Sequence, residues 1–163
     1  IKIDTQPDLR SIWQNPIHFI ACGFGLGALP IMPGTFGTLG GVVLYLMLSR
    51  LPLWAYIVVA VVLLIIGFFI CDMTNRDFGT DDHPAAVWDE VVGFLFVMLV
   101  VPKTWYFILI GFGLFRLFDI WKPWPIRWLD RNIHGGVGVM LDDVVAAIFS
   151  LIILQILAIL FYY

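Results

Sequence analysis

The fold class is decided by the stretch from 53 to 71, LWAYIVVAVVLLIIGFFIC, which contains no charged residue. At about 1.5 Å per residue, a helix of this length nearly spans the ~30 Å hydrocarbon layer of a bilayer. The final stretch, 144–163, is also apolar and free of charge. Both stretches are predicted to be membrane-spanning helices.

The charged residues are confined to a small part of the chain. Of the 163 residues, 61% are hydrophobic and 13% are charged, about half the charged share of an ordinary soluble domain. Three more charge-free stretches lie at 11–49, 91–102 and 104–115. This composition excludes a water-soluble globule and predicts an all-α, polytopic membrane helical bundle in which residues 1–163 form one domain.

Charge and motif exclude other classes of protein. The net charge of −3 and the lack of a basic run argue against nucleic-acid binding. Cys22 and Cys71 lack the spacing of a zinc site or a disulfide framework. The N-terminus lacks the pattern of a cleaved signal, so residues 1–14 are expected to form a cytoplasmic or interfacial segment.

Shorter apolar stretches predict further helices. The segments 89–101 and 104–118 are separated by Pro102 and Lys103, which predicts an antiparallel helical pair. Another short helix is predicted over about 38–50. The segment 16–29 carries three glycines and ends at a proline, which favours an interfacial or re-entrant helix over a full crossing, although a crossing stays open.

The order of these crossings places every polar motif on one side of the membrane. We call this side A, the side of residues 33–38; the connections 51–52 and 102–103 and the C-terminus fall on side B. Side A carries five cations near the spans and side B carries Arg50 and Lys103. The positive-inside rule therefore predicts that side A is cytoplasmic.

Six carboxylates are predicted to lie at helix ends on side A. Helix capping is one explanation for the acids predicted in first turns, since the helix dipole favours anions there. Capping does not readily explain adjacent pairs of acids, or acids at helix C-termini. We therefore favour a Mg²⁺ site, because all-oxygen ligation suits this ion. The six residues are Asp72, Asp89, Glu90, Asp119, Asp142 and Asp143.

The stretch 30–38, PIMPGTFGT, has the features of a phosphate cradle. Gly34 and Gly37 allow unusual backbone angles, Thr35 and Thr38 offer hydroxyl groups, and the N–H groups of a following helix attract anions. The alternative is an ordinary proline-glycine turn with Thr38 as the helix N-cap.

Basic residues and a histidine complete the candidate site. Arg116 precedes Asp119 by three residues, so it is either a phosphate clamp oriented by Asp119 or a simple intrahelical ion pair. Lys122 and Arg127 alternate with tryptophans, which favours an interfacial anchor, with contact to a substrate phosphate as the alternative. His134 is a candidate general acid or a surface-loop histidine.

Several motifs in order resemble the phosphatidylglycerophosphatase A family. They are NPIH, PIMPGTFGT, VWDEVVG, FRLFDIWKPWPIRWLDR and HGGVGVMLDDVVA, and they cover roughly residues 15 to 150. The resemblance implies a Mg²⁺-dependent phosphatase of the bacterial inner membrane. Its substrate would be phosphatidylglycerophosphate and its product phosphatidylglycerol.

The residues and the resemblance together predict a mechanism. We expect Asp89, Glu90, Asp142 and Asp143, assisted by Asp72 and Asp119, to hold Mg²⁺ that activates a water, with Glu90 orienting that water. An ion or proton transporter is the rival hypothesis, but its acids would line both halves of the membrane. A non-catalytic scaffold would leave the acids unexplained. The oligomeric state stays open.

Overall fold

All regular structure in the described part of the chain is helical. The computed structural model describes residues 9–163, so the first eight residues of the predicted N-terminal segment lie outside the described residues. No strand occurs among the described residues, which confirms the all-α fold class. The helices are α1 (Arg10–Gln14), α2 (Pro16–Ala21), α3 (Pro33–Leu48), α4 (Leu53–Asp77), α5 (Trp88–Val97), α6 (Trp105–Trp121), α7 (Ile126–Asn132) and α8 (Gly135–Phe161).

Two helices among residues 9–163 are long and apolar enough to cross a membrane. They are α4, with 25 residues, and α8, with 27 residues. Helix α4 contains the predicted span 53–71 and extends six residues beyond it, whereas α8 begins nine residues before the predicted span 144–163 and ends two residues short of its end. Helix α8 begins at Gly135, so Asp142 and Asp143 lie about two turns inside the helix. Capping of a first turn is therefore the wrong explanation for these two acids.

Close packing against α4 accounts for the early start of α8. A Cβ atom at Gly136 would lie only 2.7 Å from Cβ of Asp72, so only glycine permits this approach of the two helices. The Gly136 N–H also donates to the Asp72 carboxylate across 3.1 Å. The first turn of α8 is thus stabilised by tertiary contacts rather than by a charge-free sequence.

The shorter helices differ from the predicted bounds at their ends. Helix α3 begins at Pro33 rather than near residue 38, and the Thr38 hydroxyl donates to the Gly34 carbonyl within the helix, at 2.9 Å. Thr38 is therefore not an N-cap. Helix α5 ends at Val97, four residues before the predicted end. Residues 16–29 form the six-residue α2 and a 3₁₀ turn, Leu26–Ala28, rather than one continuous helix.

Helix α5 lies at the centre of the packed core. It contacts α3, α4, α6 and α8. Phe94, Leu95 and Val97 of α5 are fully buried, together with Phe115 of α6 and Leu154 of α8. The central position of α5 places its N-terminal residues, which include two acids, among the ends of its neighbours.

Candidate active site

Three carboxylates converge where α5 begins. Asp89 and Glu90 come from the first turn of α5, and Asp143 comes from α8. One carboxylate oxygen from each residue lies within 4.8 Å of the other two. Asp89 and Asp143 are buried, at 6% and 2% exposure. We call Asp89, Glu90 and Asp143 the three-acid group.

Each member of the three-acid group has a buried oxygen without a hydrogen-bond partner among the described residues. These atoms are Oδ1 of Asp89, Oε2 of Glu90 and Oδ2 of Asp143. Buried carboxylates without compensation are costly, so a cation would relieve the mutual repulsion of the group. A set of carboxylate oxygens fits a hard divalent cation such as Mg²⁺. The three-acid group could hold one.

Arg116 provides positive charge beside the three-acid group. Its side chain is mostly buried and is paired with Asp119, three residues further along α6. Its Nη1 also lies 3.9 Å from Oε1 of Glu90, and its Nε has no partner among residues 9–163. The Asp119 carboxyl also faces Asp143. Asp119 thus holds the guanidinium at the edge of the acids.

The N-terminus of α3 closes the same site from another direction. A Cβ atom at Gly34 would lie 2.8 Å from Oε1 of Glu90 and 3.0 Å from both terminal nitrogens of Arg116. The N-cap residue of α3, Met32, makes no side-chain capping bond. Backbone at Gly34 therefore approaches Glu90 and Arg116 directly, as the predicted cradle requires.

The rest of the predicted cradle is used for packing. A Cβ atom at Gly37 would lie 2.6 Å from Cβ of Val87, so Gly37 permits contact with the segment before α5. Thr38 is fully buried and bonded within its own helix. Thr35 is half-buried in the first turn of α3, one residue after Gly34.

Asp142 belongs to a different contact from its neighbour Asp143. Its Oδ2 lies 3.0 Å from Nζ of Lys122, which also lies 2.8 Å from Oδ1 of Asp130. Burial opposes the charge of Lys122, but its hydrogen bond to Asp130 and the charge of Asp142 outweigh burial and raise its pKa above the ordinary value. Asp142 therefore holds Lys122 rather than joining the three-acid group.

Asp72 and His134 lie together in a separate cavity of about 300 Å³. Asp72 accepts the Gly136 N–H and pairs with Arg76 at 2.8 Å. His134 is the N-cap residue of α8, is largely exposed, and has Nδ1 4.0 Å from Oδ2 of Asp81. From Gly135 to Asp143 the helix rises about 12 Å. The structure thus does not bring Asp72 or His134 to the three-acid group.

Arg127, in the second position of α7, contacts the backbone rather than an acid of the three-acid group. It donates to the Trp121 carbonyl at 3.3 Å, in the segment that joins α6 to α7.

Sequence reasoning missed Gly93 of α5. A Cβ atom there would lie 2.7 Å from the Phe115 ring and 3.5 Å from Cβ of Asp143, so this glycine lets α6 and α8 approach the acids. Its position one turn after Glu90, on the same helix face, is the sequence feature that could have indicated close packing beside the acids.

Comparison with known proteins gives a consistent family. The family model for phosphatidylglycerophosphatase A matches residues 19–158. A protein of that name from Escherichia coli is 44% identical over 138 residues, which cover 84% of this chain and 80% of the relative. One from Haemophilus influenzae is 43% identical over 141 residues, which cover 85% and 86%.

A third relative carries a different name. It comes from Bacteroides thetaiotaomicron, is provisionally named as a phosphatidylinositol-3-phosphatase, and is 37% identical over 145 residues, which cover 84% of this chain and 90% of the relative. No solved structure matches the chain. The family model and the relatives cover most of the chain, and the residues that the family model matches include all of those that form the candidate site. This chain belongs to the phosphatidylglycerophosphatase A family.

Proposed function

We propose that this protein is a membrane lipid phosphatase that hydrolyses phosphatidylglycerophosphate to phosphatidylglycerol and phosphate. The observation that carries the proposal is the three-acid group, in which each acid has a buried oxygen with no hydrogen-bond partner among residues 9–163, and Arg116 lies beside Glu90 of this group. Family membership supplies the reaction and the substrate, because two relatives bear the name phosphatidylglycerophosphatase A.

Asp89, Glu90 and Asp143 are the residues that would hold Mg²⁺. When bound, the ion supplies positive charge to the phosphate and lowers the pKa of a water. Three of the six acids predicted as Mg²⁺ ligands have other partners. Asp142 contacts Lys122 and Asp119 contacts Arg116. Asp72 contacts Gly136 and Arg76. These three acids then position neighbouring groups rather than the metal.

The other groups of the site bind phosphate and move a proton. Arg116 and the backbone at Gly34 are placed to donate to oxygens of the phosphomonoester, as a guanidinium and a helix N-terminus do. Glu90 orients the water and accepts its proton as the water oxygen bonds to phosphorus. The phosphorus–oxygen bond to glycerol breaks, and the glycerol oxygen takes up a proton. Glu90, which has accepted a proton from the water, can supply that proton, whereas the predicted donor His134 lies with Asp72 in the separate cavity.

The membrane arrangement is part of the proposal. Helices α4 and α8 cross the bacterial inner membrane, and α3, α5 and α6 complete a multi-pass bundle whose site faces the cytoplasm. Helix α5 has ten residues, about 15 Å, against a hydrocarbon layer of about 30 Å. With the connection 102–103 after α5 at the side B interface, the three-acid group at the start of α5 lies below the headgroup layer of side A. A lipid can reach it sideways, with its acyl chains still in the bilayer.

Phosphate release from purified protein in mixed micelles tests the proposal. Phosphatidylglycerophosphate should be hydrolysed with Mg²⁺ and not after its chelation. Asp89→Asn, Glu90→Gln and Asp143→Asn should each lower turnover by more than about a hundredfold, since even groups that only orient metal ligands account for 10- to 100-fold. Each variant should elute and unfold in detergent as the wild type does.

Asp77→Asn is the matched control for these three variants. Asp77 contacts His18 at 2.8 Å at the end of α4, and asparagine keeps a hydrogen-bonding oxygen there. The control should retain wild-type turnover. Wild-type rates in all three site variants at saturating Mg²⁺ would show that the three-acid group is not a metal site.

A further inference from the structure

A cavity of about 510 Å³ opens between the end of α6 and α7. Its wall contains three cations, three tryptophans and no carboxylate. The three indoles are between 53% and 80% exposed, so they face the cavity and its surroundings rather than the core. We call it the basic pocket; its lining residues are Trp121, Lys122, Pro123, Trp124, Arg127, Trp128, Arg131 and Asn132.

Two of the three cations in the basic pocket lack an acidic partner. Lys122 is paired with Asp130 and Asp142. No ion pair joins Arg127 or Arg131 to an acid among residues 9–163. The basic pocket therefore has positive charge from two guanidinium groups, whose forked donors suit the oxygens of a phosphate.

The basic pocket is connected to the candidate active site through Lys122. Its Nζ lies 3.0 Å from Asp142, the neighbour of Asp143 in the three-acid group. Helix α6 joins the two places as well, because it carries Arg116 and ends at Trp121, in the pocket wall. Six residues separate Arg116 from Lys122, which is about 9 Å of helix rise.

We propose that the basic pocket binds the phosphodiester of the phospholipid substrate and so selects lipids that carry two phosphates. This inference rests on the proposed function. Phosphatidylglycerophosphate has a phosphomonoester at one end of its glycerol headgroup and a phosphodiester at the other. With the monoester at Arg116, the diester lies one glycerol unit away, in the direction of Lys122. Exposed indoles at this level suit the boundary between headgroups and acyl chains.

Phosphatidic acid is the informative comparison, because its single phosphate is esterified directly to diacylglycerol. When that phosphate occupies the active site, nothing remains to occupy the basic pocket. An interfacial anchor would make no such distinction, because it would bring both lipids to the enzyme equally. The two roles therefore differ in the ratio of rates on the two lipids.

The test compares kcat/KM on both lipids in the same mixed micelles. The double variant Arg127→Ala, Arg131→Ala should lower the ratio of phosphatidylglycerophosphate to phosphatidic acid by about tenfold or more, because two charged donors are lost. Arg50→Ala is the control, since it removes an exposed cation from the α3–α4 turn, outside the pocket. It should leave the ratio unchanged. A parallel fall on both lipids, or no change, would overturn the proposal.

A binding measurement separates this proposal from the proposed function. Phosphatidylglycerol with brominated acyl chains keeps the diester and lacks the monoester, and it should quench wild-type tryptophan fluorescence more than brominated diacylglycerol, which carries no phosphate, does. The double variant should lose this preference, and a preference retained in full would overturn the proposal. Absence of hydrolysis by the wild type would count against the proposed function, while the quenching would still decide the role of the pocket.

Discussion

At the scale of single residues, Arg116 is the group whose geometry can be tested most directly. It contacts Asp119 and lies 3.9 Å from Glu90, with its side chain mostly buried. Arg116→Lys keeps the charge and loses the planar fork that can bind two phosphate oxygens. We expect kcat/KM for phosphatidylglycerophosphate to fall by about tenfold to a hundredfold, measured as phosphate release.

Arg76→Lys makes the same chemical change in an exposed ion pair. Arg76 contacts Asp72 at 2.8 Å, one turn back on α4, and its side chain is 78% exposed. We expect no change in kcat/KM for this control. If Arg116→Lys also had a wild-type value, Arg116 would be an intrahelical ion pair and not a phosphate clamp.

Residue types predicted a collection of acids, but not which acids would meet. Adjacent residues on a helix point about 100° apart, and adjacent side chains such as Asp89 and Glu90 can still converge, so spacing alone does not decide whether Asp142 and Asp143 reach the same partners. Asp143 meets Asp89 and Glu90, and Asp142 meets Lys122. The rotation of α8 that decides between them follows from its packing on α4, α5, α6 and α7, which includes the close contact with α4 at Gly136. That tertiary contact is not visible in sequence spacing.

At the scale of helices, the close approach of α3 to α5 and α6 can be tested at Gly34. Gly34→Ala would place Cβ 2.8 Å from Oε1 of Glu90 and 3.0 Å from the Arg116 guanidinium. Small displacements of catalytic groups are costly, so turnover should fall by about tenfold to a hundredfold. Thermal unfolding in detergent should stay near the wild-type temperature, because alanine is a better helix former than glycine.

Gly113→Ala is the matched control for this substitution. Gly113 lies within α6, and no heavy atom lies within 4 Å of its added Cβ. We expect unchanged turnover and a gain in stability of about 0.5–1 kcal/mol. Wild-type turnover in Gly34→Ala would show that the start of α3 does not form part of the site.

Hydropathy found the helices and misplaced their ends. The stretches at 53–71 and 144–163 were predicted from the absence of charge; the first lies wholly in α4, and α8 covers the second as far as Phe161. Helix α8 starts nine residues earlier than predicted, through a glycine-rich and acidic segment that looked like a loop. A first turn without an apolar pattern is not detected as helix from hydropathy, because tertiary contacts stabilise it instead. The same reason explains why α3 was predicted to start at 38 and not at Pro33.

At the scale of the whole molecule, the turns predicted on side B lie together. Lys103 after α5 donates to the Ser49 carbonyl after α3, and Gln155 of α8 donates to the Val100 carbonyl. The three-acid group and the basic pocket lie where α5 and α8 begin and α6 ends. The polar motifs therefore lie away from these turns, and the order in which the helices cross a membrane stays a prediction.

Labelling of introduced cysteines tests which end faces the cytoplasm. Cys22 and Cys71 are fully buried, so the background reaction with a membrane-impermeant maleimide should be low. Five cations lie near the spans on side A against two on side B. By the positive-inside rule, Arg50→Cys and Lys103→Cys should be labelled on intact inner-membrane spheroplasts. Arg131→Cys, at the other end, should be labelled only after the membrane is permeabilised.

The pattern of labelling separates three arrangements of the helices. Labelling of both turns from outside requires that α5 crosses as well as α4, because otherwise the two turns would not share a side. Protection of Arg131→Cys in the same experiment requires that α6 crosses back. Labelling of only one turn would mean that one of the short helices re-enters on the side from which it came. Protection of both turns together with outside labelling of Arg131→Cys would reverse the orientation, and the site would then face away from the cytoplasm. That last outcome would also separate the site from cytoplasmic Mg²⁺, so the labelling bears on the chemistry as well as on the topology.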